Sequence, residues 1–166
     1  MYTILVASLN ENMKLAKVLQ QHLSELNQKS EIVNLVELEL PMYDSLKEEQ
    51  NGIPTIIQEL NQKMIRASGY IVVAPEYKYS IPPVLTNVIA WISRSSDDFR
   101  EVFTNKFVQL ATHSGGGGSD VMNAIRSQLN KLGSVVVPRE IITTYQKPLD
   151  KDGSKRIIEQ FVTFTN

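Results

Sequence analysis

Cysteine is absent from the chain, which excludes thiolate chemistry, disulfides, cysteine-held zinc and iron–sulfur clusters. Charge of one sign is absent too. The 17 basic and 18 acidic residues leave a formal net charge of −1, and no Lys/Arg cluster supplies the electrostatic footprint of a nucleic-acid binder. Long apolar runs are missing as well. The 42% of hydrophobic residues is broken into short stretches, so no segment is expected to span a membrane, yet the fraction is too high for a disordered chain. Neither a basic stretch nor a small-residue cleavage site precedes the first apolar run, Tyr2 to Val6, and the expectation is a cytoplasmic protein. At 166 residues the chain reads as one domain, 1–166, large enough to bury a core without disulfide or metal staples.

Two periods alternate along the chain. Apolar runs at Tyr2–Ala7, Glu31–Val36, Gly69–Pro75, Phe107–Thr112 and Ser134–Val137 read as strands, the last continuing in β character through Glu140–Thr143. Between them, apolar residues recur at helical spacing over Met13–Leu26, Ile53–Ala67, Pro82–Ser93, Asp120–Leu132 and Ser154–Phe164. Asn12 stands where an N-cap belongs, Pro54 falls near a first turn, and Gly133 stops the fourth helix. Asp150 to Gly153 reads as a turn before the last helix. Five strands each followed by a helix imply an α/β fold with a parallel sheet covered on both faces, in the order 2-1-3-4-5. Ligands of such folds bind beyond the carboxyl ends of the strands, where the order reverses. Three loops should converge there: 8–12, 75–83 and 112–119.

Each loop has a functional and a structural reading. Ser8, Asn10 and Asn12 could join a helix N-terminus in holding an anion, or the segment is a tight turn with an asparagine cap. The absence of glycine and the presence of Glu11 favour the turn. Pro75-Glu76-Tyr77-Lys78-Tyr79-Ser80-Ile81-Pro82-Pro83 could hold a flat aromatic ligand by backbone amides and a ring edge, or be a rigid loop whose tyrosines cover the sheet edge. Gly115 to Gly118 permit positive φ and close approach to a planar ligand, or form a mobile connector; their place at the strand ends favours ligand contact. His113 reads as a loop anchor, His22 as structural, and Trp91 as core or subunit-interface packing. Asp97 and Asp98 read as solvated or capping carboxylates, with no third acid or histidine beside them to suggest a metal site.

Pro75-Glu76-Tyr77 with Ser80-Ile81-Pro82-Pro83, Leu85, Asn87, Ile89 and Trp91 resembles the signature of the NADPH-dependent FMN reductases, with about ten of its positions matching. The likeness runs over nearly the whole chain, through the Ile4-Leu5-Val6 strand, Asn12 ahead of Leu15-Ala16, and the glycine-rich loop. It implies a three-layer, flavodoxin-like fold, noncovalent FMN reduced by NAD(P)H, and a small-molecule electron acceptor such as a free flavin or quinone. It implies no catalytic side chain and no metal, since the cofactor carries the chemistry. Pro75, Glu76 and Tyr77, with Lys78 and Ser80 beside them, would lie along one side of the flavin. Ser114, Gly115, Gly116 and Gly117 would flank the other, Ser8, Asn10 and Asn12 would hold the phosphate, and Met42-Tyr43-Asp44 would line the substrate side. A homodimer or homotetramer is implied as well.

The chain also departs from that pattern. The first loop is about five residues shorter than is usual and lacks its arginine and one hydroxyl. At about 1.5–3 kcal/mol for each charge-assisted hydrogen bond, that is roughly two to four decades in affinity. Lys78 and Tyr79 stand where Asn and Gly are usual, so Tyr79 either fills the space of the ring or stacks on it. Thr86 and Ala90 replace the lysine and aspartate of an interface ion pair. Two functions follow: an FMN-dependent NAD(P)H oxidoreductase, or a flavodoxin-like protein that has lost flavin binding and serves as an assembly partner.

Overall fold

A computed structural model describes residues 1–96 and 98–165; Asp97 lies outside them, while Asp98 is exposed and caps nothing with its side chain. The strands are β1 (Tyr2–Val6), β2 (Ser30–Asn34), β3 (Gly69–Val73), β4 (Phe107–His113), β5 (Val135–Val136) and β6 (Ile141–Thr143). The helices are α1 (Glu11–Glu25), α2 (Ser45–Asn51), α3 (Thr55–Arg66), α4 (Pro83–Ile92), α5 (Ser119–Lys131) and α6 (Lys151–Thr165). The sheet is parallel in the order β2-β1-β3-β4-β5, with β6 on β4 beyond β5. Ile4 lies opposite both Ile32 and Ile71, and Val73 opposite Ala111. β1 and β3 are buried at every residue, because helices cover both faces of a parallel sheet. One face packs on α1 and α6 through Leu15, Leu19, Leu23, Ile158 and Phe161; the other packs on α3, α4 and α5 through Ile57, Met64, Leu85, Trp91 and Ile125. This is the three-layer α/β fold expected.

Several boundaries differ for identifiable reasons. The expected fifth strand is two short strands. Pro138 interrupts it, and side chains fill the gap: Gln109 donates to the Arg139 carbonyl at 2.8 Å, while the Arg126 guanidinium donates to the Val136 and Val137 carbonyls and pairs with Glu140 at 2.7 Å. The second strand ends at Asn34 rather than Val36. Helix α2 lies where no helix was expected; it buries none of its residues, so no apolar period marks it. Asp44 caps it by accepting from the Lys47 amide at 2.8 Å. α3 starts at Thr55 with Pro54 as its cap. The last helix starts at Lys151, not Ser154, because Asp150 accepts from the Gly153 amide at 3.0 Å and caps it. A Cβ at 153 would lie 2.4 Å from the Asp150 carboxylate, so a larger residue there displaces this cap.

Candidate functional site

The three loops meet at the carboxyl end of the sheet, and two side chains lock them together. Asn12 is not the helix cap. Asn10 takes that position with φ 57° and no side-chain capping bond, and Asn12 lies buried inside α1. Its amide accepts from the His113 N–H at 2.9 Å and donates to the His113 carbonyl at 3.0 Å. Asn12 thereby does for the end of β4 what a neighbouring strand would do, satisfying two backbone groups that burial would otherwise leave unpaired.

Glu76 joins the second loop to the third. One carboxylate oxygen accepts from the Val121 amide at 3.2 Å, in the first turn of α5, and the other lies 3.4 Å from the Ser114 hydroxyl. A carboxylate at that end of a helix meets unpaired N–H groups and the positive end of the dipole. Buried Ser114 also accepts from the Gly116 amide at 3.1 Å. Asn12, Glu76 and Ser114, together with buried Pro75, therefore form the frame of the mouth.

The rim is made by exposed residues. After Pro75 the chain folds back on itself: Tyr77 and Ser80 exchange both backbone hydrogen bonds at 3.1 Å, and the two residues between them, Lys78 and Tyr79, have φ of 50° and 64°. Two successive positive φ values define a type I′ turn, which favours Asn-Gly. That explains why asparagine and glycine are usual in the resembled pattern, and it makes the lysine and tyrosine here a strained pair. Tyr77 and Tyr79 are 51% and 76% exposed, so Tyr79 does not fill the cleft. In the third loop, a Cβ added to Gly115 or Gly117 would meet nothing within 4 Å. None of Gly115, Gly116 and Gly117 uses the positive φ that glycine permits. Gly118 does, at 78°, where it caps α5 and a Cβ would come within 2.9 Å of Thr112. Among the described residues the amides of Gly115 and Gly117 have no acceptor. Exposed aromatic rings on one loop and free amides on the next suit a flat ligand with carbonyl edges.

The first loop is less well equipped to hold an anion. The turn from β1 to α1 is only Ala7 to Asn10, and no basic residue lies in it. The Ser8 hydroxyl donates to the Leu9 carbonyl at 3.0 Å. Glu11 opens α1 and pairs with Lys14 at 2.7 Å; that ammonium holds the Glu11 carboxyl below its usual range. Behind this turn lies a cavity of about 360 Å³ bounded by Glu11, Lys14, Leu15, His113, Tyr145 and Leu149. His113 anchors the loop as expected, its Nδ1 lying 3.0 Å from the Thr143 hydroxyl and its ring meeting Tyr145 edge-on.

The rest of the signature is positional. Trp91, 1% exposed, donates to the Pro41 carbonyl at 2.8 Å, and Asn87 donates to that same carbonyl while accepting from the Tyr43 amide. The Tyr43 ring sits edge-on to Trp91, and its hydroxyl donates to Glu48. Asn87 and Trp91 thus fasten the segment after β2, leaving Met42 exposed. Burial and these long-range bonds make Trp91 a core residue. No cluster of three or more His, Asp or Glu suited to a metal ion occurs among the described residues, and none of the described helices is long and apolar enough to cross a membrane.

Similarity to known proteins agrees with this geometry. A quinone reductase of Escherichia coli is 33% identical over 101 residues, 60% of this chain and 52% of that protein. The NADH:(hydroxy)cinnamate reductase subunit CrdA of Vibrio ruber is 28% identical over 127 residues, covering 75% of this chain and 58% of that one. The chain thus spans about half the length of the curated relatives it matches. Among solved structures, the flavoenzyme FerB of Paracoccus denitrificans, an NAD(P)H:(acceptor) oxidoreductase, superposes with a TM-score of 0.80 at 19% identity, covering 99% of this chain and 96% of FerB. The family model for NADPH-dependent FMN reductase matches residues 2–147, and the chain belongs to that family.

Proposed function

We propose that this protein is a flavin-dependent NAD(P)H oxidoreductase that reduces a quinone, a free flavin or a similar small acceptor. The observation that carries this reading is the pair of loops that Glu76 joins at the carboxyl end of the sheet, the Tyr77–Ser80 turn with its exposed aromatic rings and Gly115–Gly117 with free backbone amides. Family membership supports it, as do relatives named quinone reductase and NAD(P)H:quinone oxidoreductase.

A flavin held there would take a hydride from NAD(P)H and pass two electrons to the acceptor, chemistry that belongs to the cofactor. The chain supplies position and environment. Gly115 and Gly117 offer amide donors to a ring carbonyl, with Gly116 completing the wall. Tyr77 shields a ring face from water, and Lys78 and Ser80 edge the same turn. Asn12, Pro75, Glu76 and Ser114 hold these groups in place and touch the ligand little or not at all. Ser8 and Asn10 lie toward the flavin's tail. The whole chain acts as one domain in this reading, in the cytoplasm and as a homodimer or homotetramer; exposed Met42, Leu46 and Tyr79 support self-association.

The test is anaerobic. Protein mixed with FMN and then NADPH should lose the long-wavelength flavin absorbance, and a quinone should restore it with formation of hydroquinone. Flavin that is reduced no faster than in buffer would overturn the reading.

A further inference from the structure

The two halves of the cleft are not equally prepared for FMN. The ring half has open space and free amides. In the tail half no side chain of the first loop brings a positive charge to a phosphate: Asn12 is bound to the His113 backbone, the Ser8 hydroxyl to the Leu9 carbonyl, Glu11 stands at the first position of α1, and exposed Asn10 offers only a neutral amide. The nearest cation along this segment, Lys14, is paired with Glu11 at 2.7 Å and is not free to hold a phosphate. The first-turn amides of α1 lack a side-chain cap. Such amides can hold a neutral hydroxyl, but a dianion placed there would also face the Glu11 carboxylate, which the bound ammonium keeps ionised at neutral pH.

Resting on the flavin reading above, we propose that this chain recognises a flavin by its ring and ribityl hydroxyls and gains nothing from the 5′-phosphate. Riboflavin is then as good a ligand as FMN, and Glu11 is the residue that sets this specificity.

Fluorescence titrations of riboflavin and of FMN test the proposal without reference to turnover, using the full chain and its Glu11→Gln variant at low and moderate salt. The two dissociation constants for the unaltered chain should agree within about threefold. Glu11→Gln should tighten FMN by about three- to tenfold and leave riboflavin unchanged. Added salt should tighten FMN in the unaltered chain by screening the same repulsion. A preference for FMN of about tenfold or more overturns the inference alone, and its loss in Lys14→Gln or Lys78→Gln would identify the cation responsible. An FMN affinity indifferent to Glu11→Gln also overturns it. Failure of both flavins to bind defeats the oxidoreductase reading itself, and this inference with it.

Discussion

The side chain of Asn12 pairs with both backbone groups of His113, 101 residues away in sequence, at 2.9 and 3.0 Å. A single amide therefore fixes the start of α1 against the end of β4, and with it the distance between the first and third loops of the cleft. Replacing Asn12 with alanine leaves one donor and one acceptor of a partly buried strand end unpaired. The expected loss is about 2–6 kcal/mol, at about 1–3 kcal/mol for each unsatisfied group. Urea unfolding should show it as a lower midpoint with an unchanged slope, and exchange of the His113 amide should accelerate.

The turn at Lys78-Tyr79 stores strain that the cleft retains. Both residues have positive φ, which costs an L-residue roughly 1–2 kcal/mol. Tyr79 is largely exposed, so Tyr79→Gly gives up little packing and should stabilise the protein by about 1 kcal/mol in thermal or urea unfolding. If the ring of Tyr79 contacts the ligand, the same variant binds flavin more weakly. A gain in stability with a loss in affinity is the expected pair of results, since strain tends to persist where function uses it.

Glu76 should report on the glycine loop. Glu76→Gln removes the charge that caps α5 while keeping the side chain's size, and is expected to cost about 1 kcal/mol. Amides from Gly115 to Val121 should exchange faster, and flavin affinity should fall because the loop no longer holds its shape. Unaltered exchange in that loop would show that Glu76 does not support it.

His22 gives the fold a pH dependence. Its Nε2 lies 3.0 Å from the Ser154 hydroxyl, linking α1 to α6, and its buried Nδ1 has no partner among the described residues. Burial pushes the imidazole below its ordinary value, so between the folded and unfolded values the unfolded chain binds more protons. Stability contributed by this group is complete above about pH 6.5 and declines as pH falls below it, levelling off once the folded value is passed. The melting temperature should therefore drop on acidification through that window, and His22→Gln should flatten the drop.

Much of the sheet and its helices was legible because buried strands and amphipathic helices leave strong periods in the chain: β1, β3, α1 and α5 fall within a residue or two of the expected limits. α2 was invisible because it buries nothing, and only the capping geometry of Asp44 defines it. The break at Pro138 was masked by β-forming residues on both sides, while the groups that repair it, Gln109 and Arg126, come from distant segments. That the three loops meet at the carboxyl end of the sheet followed from topology. Their division of labour was not legible. An asparagine at a helix start has the same local signature whether it caps its own helix or, like Asn12, reaches across to another strand. A run of four glycines likewise does not reveal that only Gly118 needs its conformational freedom. The meaning of positions 78 and 79 emerges only from the backbone angles of the turn they form.

Whether a flat ring lies between the Tyr77–Ser80 turn and Gly117 is measured directly by backbone amide shifts of the labelled protein during addition of riboflavin. The amides of Tyr77 to Ser80 and of Gly115 to Gly117 should move together and saturate, while those of Lys17, Gln20 and Gln28, at the far end of the sheet, stay in place. Saturating shifts confined to the far end, or no shifts at flavin concentrations up to about 100 μM, would contradict it.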